Sequence, residues 1–146
     1  MDTELVITRI VDAPREAVYR AFTDPDLLAR WFGPVGWSVP RESVEIDPRE
    51  GGAFHFVMVD DDDPSRTSPV VATFREVVPN ELIVGEEAEV PGRPASAGMV
   101  MRLEFSDEGA GRTRIVLRQG PYDPEIEGQA REGWMSSFTK LDTLLA

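Results

Sequence analysis

Cysteine is absent from these 146 residues, which excludes disulfides, thiol nucleophiles and thiolate-bound metal. A reducing compartment fits, and a cytoplasmic location is the expectation. Histidine occurs once, at His55, so one chain can assemble neither a histidine-based triad nor a two-histidine metal site. Lysine also occurs once, at Lys140, and the formal charge is −12. No basic face can be gathered from such a chain, so nucleic acid is not an expected partner. The same charge disfavours anionic membrane surfaces. No apolar run is long enough to span a bilayer, and no signal-peptide core opens the chain. No cofactor and no metal is called for. The acidic run Asp60 to Asp63 lacks the alternating ligands and the glutamate of an EF-hand loop, and it reads as a solvated hairpin tip.

What is present is a globular composition, with 41% hydrophobic and 8% aromatic residues, enough for one cored domain spanning residues 1–146. The longest helical period lies at the end of the chain. Ile126, Ala130, Gly133/Trp134, Phe138, Leu141 and Leu145 recur at three- and four-residue steps. Asp123 caps the first turn and Pro124 takes the first helical position, where a missing N–H costs nothing. At about 1.5 Å per residue this helix spans roughly 33 Å.

Most of the preceding chain reads as strands. Glu4 to Val11 is the first, with apolar residues in both registers. Two short helices follow, Asp12 to about Phe22 and Asp26 to Phe32, the second stopped by Gly33-Pro34. Period-two segments then run from Trp37 to Asp47, Phe54 to Val59, Val70 to Val78, Leu82 to Glu87, Met99 to Phe105 and Thr113 to Leu117. Hairpin-length links make these an antiparallel meander. The predicted class is α+β, with seven strands curving around the C-terminal helix. A bent sheet cannot meet one helix everywhere, so a gap lined by aromatic and methionine side chains is expected.

Particular stretches carry a resemblance. Asp12-Ala13-Pro14-Arg15-Glu16-Ala17-Val18-Tyr19-Arg20-Ala21-Phe22-Thr23-Asp24-Pro25, then Trp31-Phe32-Gly33-Pro34, Asp47-Pro48-Arg49-Glu50-Gly51-Gly52 and the late Gly133-Trp134 resemble bacterial proteins named after the activator of the heat-shock protein 90 ATPase. These belong to the START-like (SRPBCC) superfamily. The resemblance implies a helix-grip fold, a seven-stranded antiparallel sheet gripping the last helix around an apolar cavity. It implies little about ligand or reaction, because function varies widely on this fold. Eukaryotic co-chaperones of that name carry a further N-terminal domain, which these residues do not include, and this weighs against chaperone activation. Tyr19 and Phe54 stand where the family often has Trp, changes expected to alter cavity shape.

The candidate lining residues are Trp31, Phe32, Trp37, Phe54, Phe56, Met58, Phe74, Met99, Met101, Trp134 and Phe138. Each alone reads more readily as plain core than as lining; together they exceed what a dense small core needs, and methionine adapts to varied guests. Gly133 costs about 1 kcal/mol of helix propensity and permits close approach by the sheet or a ligand. His55 alternates with Phe54 and Phe56 and reads as a surface residue. Among Glu86, Glu87 and Glu89, one can enter the cavity as a polar anchor or base, with a partner such as Arg102. Three functions follow. The first is binding of a small hydrophobic molecule. The second is a polyketide cyclase or dehydratase-like enzyme, for which Tyr19, Tyr122, Glu87 and Arg102 are the nearest polar candidates. The third is a chaperone-accessory or stress-related interaction module. A homodimer is compatible with each.

Overall fold

The computed structural model describes residues 3–88 and 98–146. The anticipated loop Pro91 to Ser96 and Glu89 lie outside that range. Strand β1 (Thr3–Val11) leads into helices α1 (Arg15–Thr23) and α2 (Pro25–Trp31). Short strands β2 (Trp37–Ser38) and β3 (Glu45–Ile46) follow, then β4 (Ala53–Asp60), β5 (Thr67–Val78), β6 (Leu82–Glu87), β7 (Val100–Gly109), β8 (Arg112–Tyr122) and the long helix α3 (Pro124–Leu145). The sheet is antiparallel in the order β1-β8-β7-β6-β5-β4-β2, with β3 also on β4. The single strand expected over 37–47 is therefore split. A 3-10 turn, Arg41–Ser43, separates its halves, which pair with opposite ends of β4. Ser43 Oγ accepts from Val57 N–H at 3.2 Å, which supplies a backbone donor in the gap with a partner. Counted as one interrupted strand, the two halves complete the seven-stranded curled sheet.

The structure settles the register of β1. Leu5, Ile7 and Val11 are buried, and Ile10 is 40% exposed. Arg9 shares the inward register. It forms an ion pair with Asp142 of α3 and lies over the Phe138 ring, 5.5 Å from its centre. On β4, Phe54 and Phe56 are buried, while His55 faces the other side with its Nδ1 3.8 Å from the Glu45 carboxylate across the strands. At the Asp60–Asp63 tip the carboxylates are used locally. Asp60 accepts from Asp62 N–H and pairs with Arg66, and Asp63 accepts from Ser65 N–H and Oγ–H. The Ser65 bonds hold the Asp63 carboxyl below its usual pKa. Gly52 answers a close approach, since a Cβ there would stand 2.0 Å from the Asp47 carbonyl oxygen.

Helix α3 begins as its sequence demands, with the Asp123 carboxylate accepting from Glu125 N–H and Pro124 in the first turn. It is tied to both edges of the sheet. Toward β1 it uses Arg9–Asp142 and Arg131, whose guanidinium donates to the Val6 carbonyl at 3.0 Å. Toward β2, Lys140 Nζ donates to the Trp37 carbonyl at 2.9 Å, and Ser136 Oγ accepts from Val35 N–H at 2.8 Å. A helix clasping both edges leaves the middle strands bowed away beneath it.

The Lys140 clasp makes a measurable prediction. Burial lowers the pKa of its amine from the usual 10.5, and the Asp61 charge opposes this only in part. In the window between the lowered folded value and 10.5 the unfolded chain binds more protons, so stability rises with pH across that window. Because the chain has one lysine, a lysine-selective NMR titration yields one side-chain curve. It should fall below that of a free lysine, and Asp61→Asn should lower it further.

Candidate ligand cavity

Under α3 lies a cavity of about 590 Å³, within the range of small-molecule sites. The sheet supplies Phe54, Phe56 and Met58 from β4, Val70, Ala72 and Phe74 from β5, and Ile83, Gly85 and Glu87 from β6. Met101 of β7 and Gln119 and Tyr122 of β8 continue the floor, and Phe32 to Pro34 and Trp37 close one flank. Helix α3 roofs it with Ile126, Gln129, Ala130, Gly133, Trp134 and Ser137. Ile126, 47% exposed, stands at the rim.

The hollow has a local cause. Of the three lining glycines, Gly33 is hemmed by Met58, while Gly85 on the sheet and Gly133 on the helix leave room. A Cβ at Gly133 would meet nothing within 4 Å, and one at Gly85 would meet only the Thr73 carbonyl at 3.8 Å. The expectation that Gly133 lets the sheet approach is thus corrected: it faces open space. The helical stripe read from the sequence divides accordingly. Phe138 and Leu141 are fully buried, whereas Trp134 and Ala130 are half-buried and face the hollow.

Of the candidate residues, Phe32, Trp37, Phe54, Phe56, Met58, Phe74, Met101 and Trp134 come together around the cavity. Trp31, Met99 and Phe138 do not. Trp31 is sealed between α1 and α2, its indole N–H donating to the Ala21 carbonyl at 2.8 Å and its ring set edge-on to Phe22. Phe138 is fully buried, with Arg9 over its ring and Trp134 packed against it. Met99 precedes the β7 ladder, and its carbonyl accepts from Glu87 N–H at 2.8 Å. Tyr19 packs edge-on against Phe105 away from the cavity, and burial raises its phenol pKa. Of the two positions where the family often has Trp, only Phe54 lines the cavity. Arg102 is on the outer face, bonded to Glu104 at 2.8 Å, so it is no partner for Glu87. Glu86 pairs with Arg75 instead of turning inward.

Polar groups cluster at one end. The side-chain oxygen of Gln119, a residue only 8% exposed, accepts from Trp134 Nε1–H at 2.7 Å and from the Tyr122 hydroxyl at 2.7 Å. Sequence reasoning missed Gln119, although one more two-residue step beyond Thr113, Ile115 and Leu117 reaches it.

Comparison with known proteins agrees with this geometry. The family model described as "Activator of Hsp90 ATPase homolog 1-like protein" matches residues 12–146. A crystal structure of a Nitrosomonas europaea protein, 30% identical, superposes with a TM-score of 0.80 over 97% of this chain and 93% of its own. One from Chromobacterium violaceum, 27% identical, gives 0.82 over 97% and 96%. One from Silicibacter pomeroyi, 25% identical, gives 0.76 over 97% and 96%. Among curated proteins, none matches the chain. Among the described residues, no helix is long and apolar enough to cross a membrane.

Proposed function

The chain belongs to the Activator of Hsp90 ATPase homolog 1-like family, and from that premise we propose that it binds a small hydrophobic molecule between the curled sheet and α3. The observation that carries this reading is the unfilled 590 Å³ space lined by Phe54, Phe56, Phe74, Met101 and Trp134. A guest there would bury most of its surface against aromatic rings and two adaptable thioethers, Met58 and Met101. At about 25 cal/mol per Å², an apolar guest burying roughly 200 Å² would gain about 5 kcal/mol before the cost of immobilising it. Thermal-shift screening of hydrophobic compounds, with native mass spectrometry of the hits, tests the proposal. Hits should raise the melting temperature and add one ligand mass per chain. A broad apolar set that neither binds nor stabilises would refute it.

A second reading has one observation in its favour. Glu87 and Tyr122 bring a carboxylate and a phenol to the cavity wall, the minimum an enzyme of the polyketide cyclase or dehydratase kind would need. The interaction-module reading has less support. Among the described residues the exposed large apolar side chains are Ile10, Val35, Val100, Ile126 and Met135, divided among β1, the turn before β2, β7 and α3.

A further inference from the structure

The polar end of the cavity specifies more than hydrophobicity. An indole N–H can only donate, so the Gln119 atom that receives it is the amide oxygen. The Tyr122 hydroxyl occupies that oxygen as well. With both lone pairs engaged, the amide plane is fixed and the Gln119 NH₂ points the other way. Among the described residues no acceptor meets that NH₂. It is also not sealed in, because among the described residues the one enclosed side-chain polar atom without a partner is Arg9 Nε. Gln119 is buried and lines the cavity, so its NH₂ opens onto the cavity.

Charge narrows the class of ligand further. Glu87 is among the described lining residues, and no lysine or arginine is. Among the described residues a bound carboxylate would meet no counter-charge on the cavity wall, inside a chain of net charge −12. Resting on the ligand-binding reading above, we propose that the occupant is a neutral carbonyl compound, such as a ketone, ester or amide. Its oxygen accepts from Gln119 while an apolar body of two-ring size or larger lies among Phe54, Phe56, Phe74 and Met101. Tyr122 and Trp134 act as positioning residues, holding the donor in place.

Three naphthalenes of near-equal size test this on the intact protein: 2-acetylnaphthalene, 2-ethylnaphthalene and 2-naphthoate, with Kd measured by fluorescence. The ketone should bind about three- to tenfold more tightly than the ethyl compound, the range of one net hydrogen bond. The carboxylate should bind most weakly. In Gln119→Leu the ketone's advantage should vanish while 2-ethylnaphthalene still binds, which also reports that the variant is folded. If that variant does not fold, the carbonyl stretch of bound 2-acetylnaphthalene in the native protein decides, and it should lie below its value in hexane. Equal binding of ketone and hydrocarbon, tightest binding of the carboxylate, or an unshifted carbonyl stretch would each overturn the proposal while leaving a hydrophobic site intact. Binding of none of the three would overturn the ligand-binding reading together with it.

Discussion

Replacing Gly133 with Leu should weaken binding of a cavity ligand by about 100-fold while making the ligand-free protein more stable. The two halves of this result have separate causes. A leucine at 133 adds four carbons to space where a Cβ meets nothing within 4 Å. Those carbons displace about as much ligand, and at about 0.8 kcal/mol per buried methylene the loss approaches 3 kcal/mol. The stability gain comes first from helix propensity, roughly 0.6–1 kcal/mol for a residue near Ala in rank. Burial of the new side chain adds about 1–2 kcal/mol. For a chain of this length each kcal/mol moves the melting temperature by about 2–4 °C. A residue that helped pack the sheet against the helix would behave in the opposite way, and its enlargement would lower stability. Thermal melts and ligand titration of Gly133→Leu therefore report on whether the space is empty.

Phe138→Ala should cost about 3–5 kcal/mol, the range for truncating a fully buried phenylalanine. Phe138 is 0% exposed; Arg9 lies over its ring and Trp134 packs against it. Its loss would leave a void where α3 meets β1 and would deprive the Arg9 guanidinium of its aromatic neighbour. Since domains of this kind are held by about 5–15 kcal/mol in total, the variant should unfold in markedly less urea. Ile126→Ala on the same helix should change stability by less than about 0.5 kcal/mol, because Ile126 is 47% exposed at the cavity rim. The contrast matters because both residues belong to one periodic stripe in the sequence. Equal effects would mean that the stripe is packed along its whole length.

That stripe marks the limit of what could be read from residue order. The period of α3, the Asp123 cap and the alternation of Phe54 and Phe56 with His55 are local patterns, and each appears in the structure where the sequence places it. The expected seven strands are there too, because alternation and turn chemistry act over a few residues. What periodicity could not supply is the identity of the surface each apolar face meets. Phe138 and Trp134 look alike in the sequence, yet one is enclosed by β1 and the other borders a hollow. Trp31 fits the lining aromatics by its sequence pattern, but its indole bonds Ala21 ten residues earlier and seals α1 onto α2. The break within residues 37–47 is invisible locally because the 3-10 turn is compensated by Val57 of β4, whose N–H donates to Ser43 Oγ across the gap. Gln119 was overlooked because its meaning depends on Tyr122 and on Trp134 of a different element. The register of β1 is open in the sequence for the same reason, because the inward Arg9 meets its partner Asp142 only at the far end of the chain.

The most direct test of the hollow beneath α3 is a crystal structure under xenon pressure, which needs no knowledge of the natural ligand, since dry apolar cavities take up xenon. We predict xenon density between Gly133 on the helix and Phe56 and Met101 on the sheet, with the Trp134 indole still bonded to Gln119. Crystals that take up no xenon there, with Trp134 turned down against Phe74 to fill the space, would contradict the account.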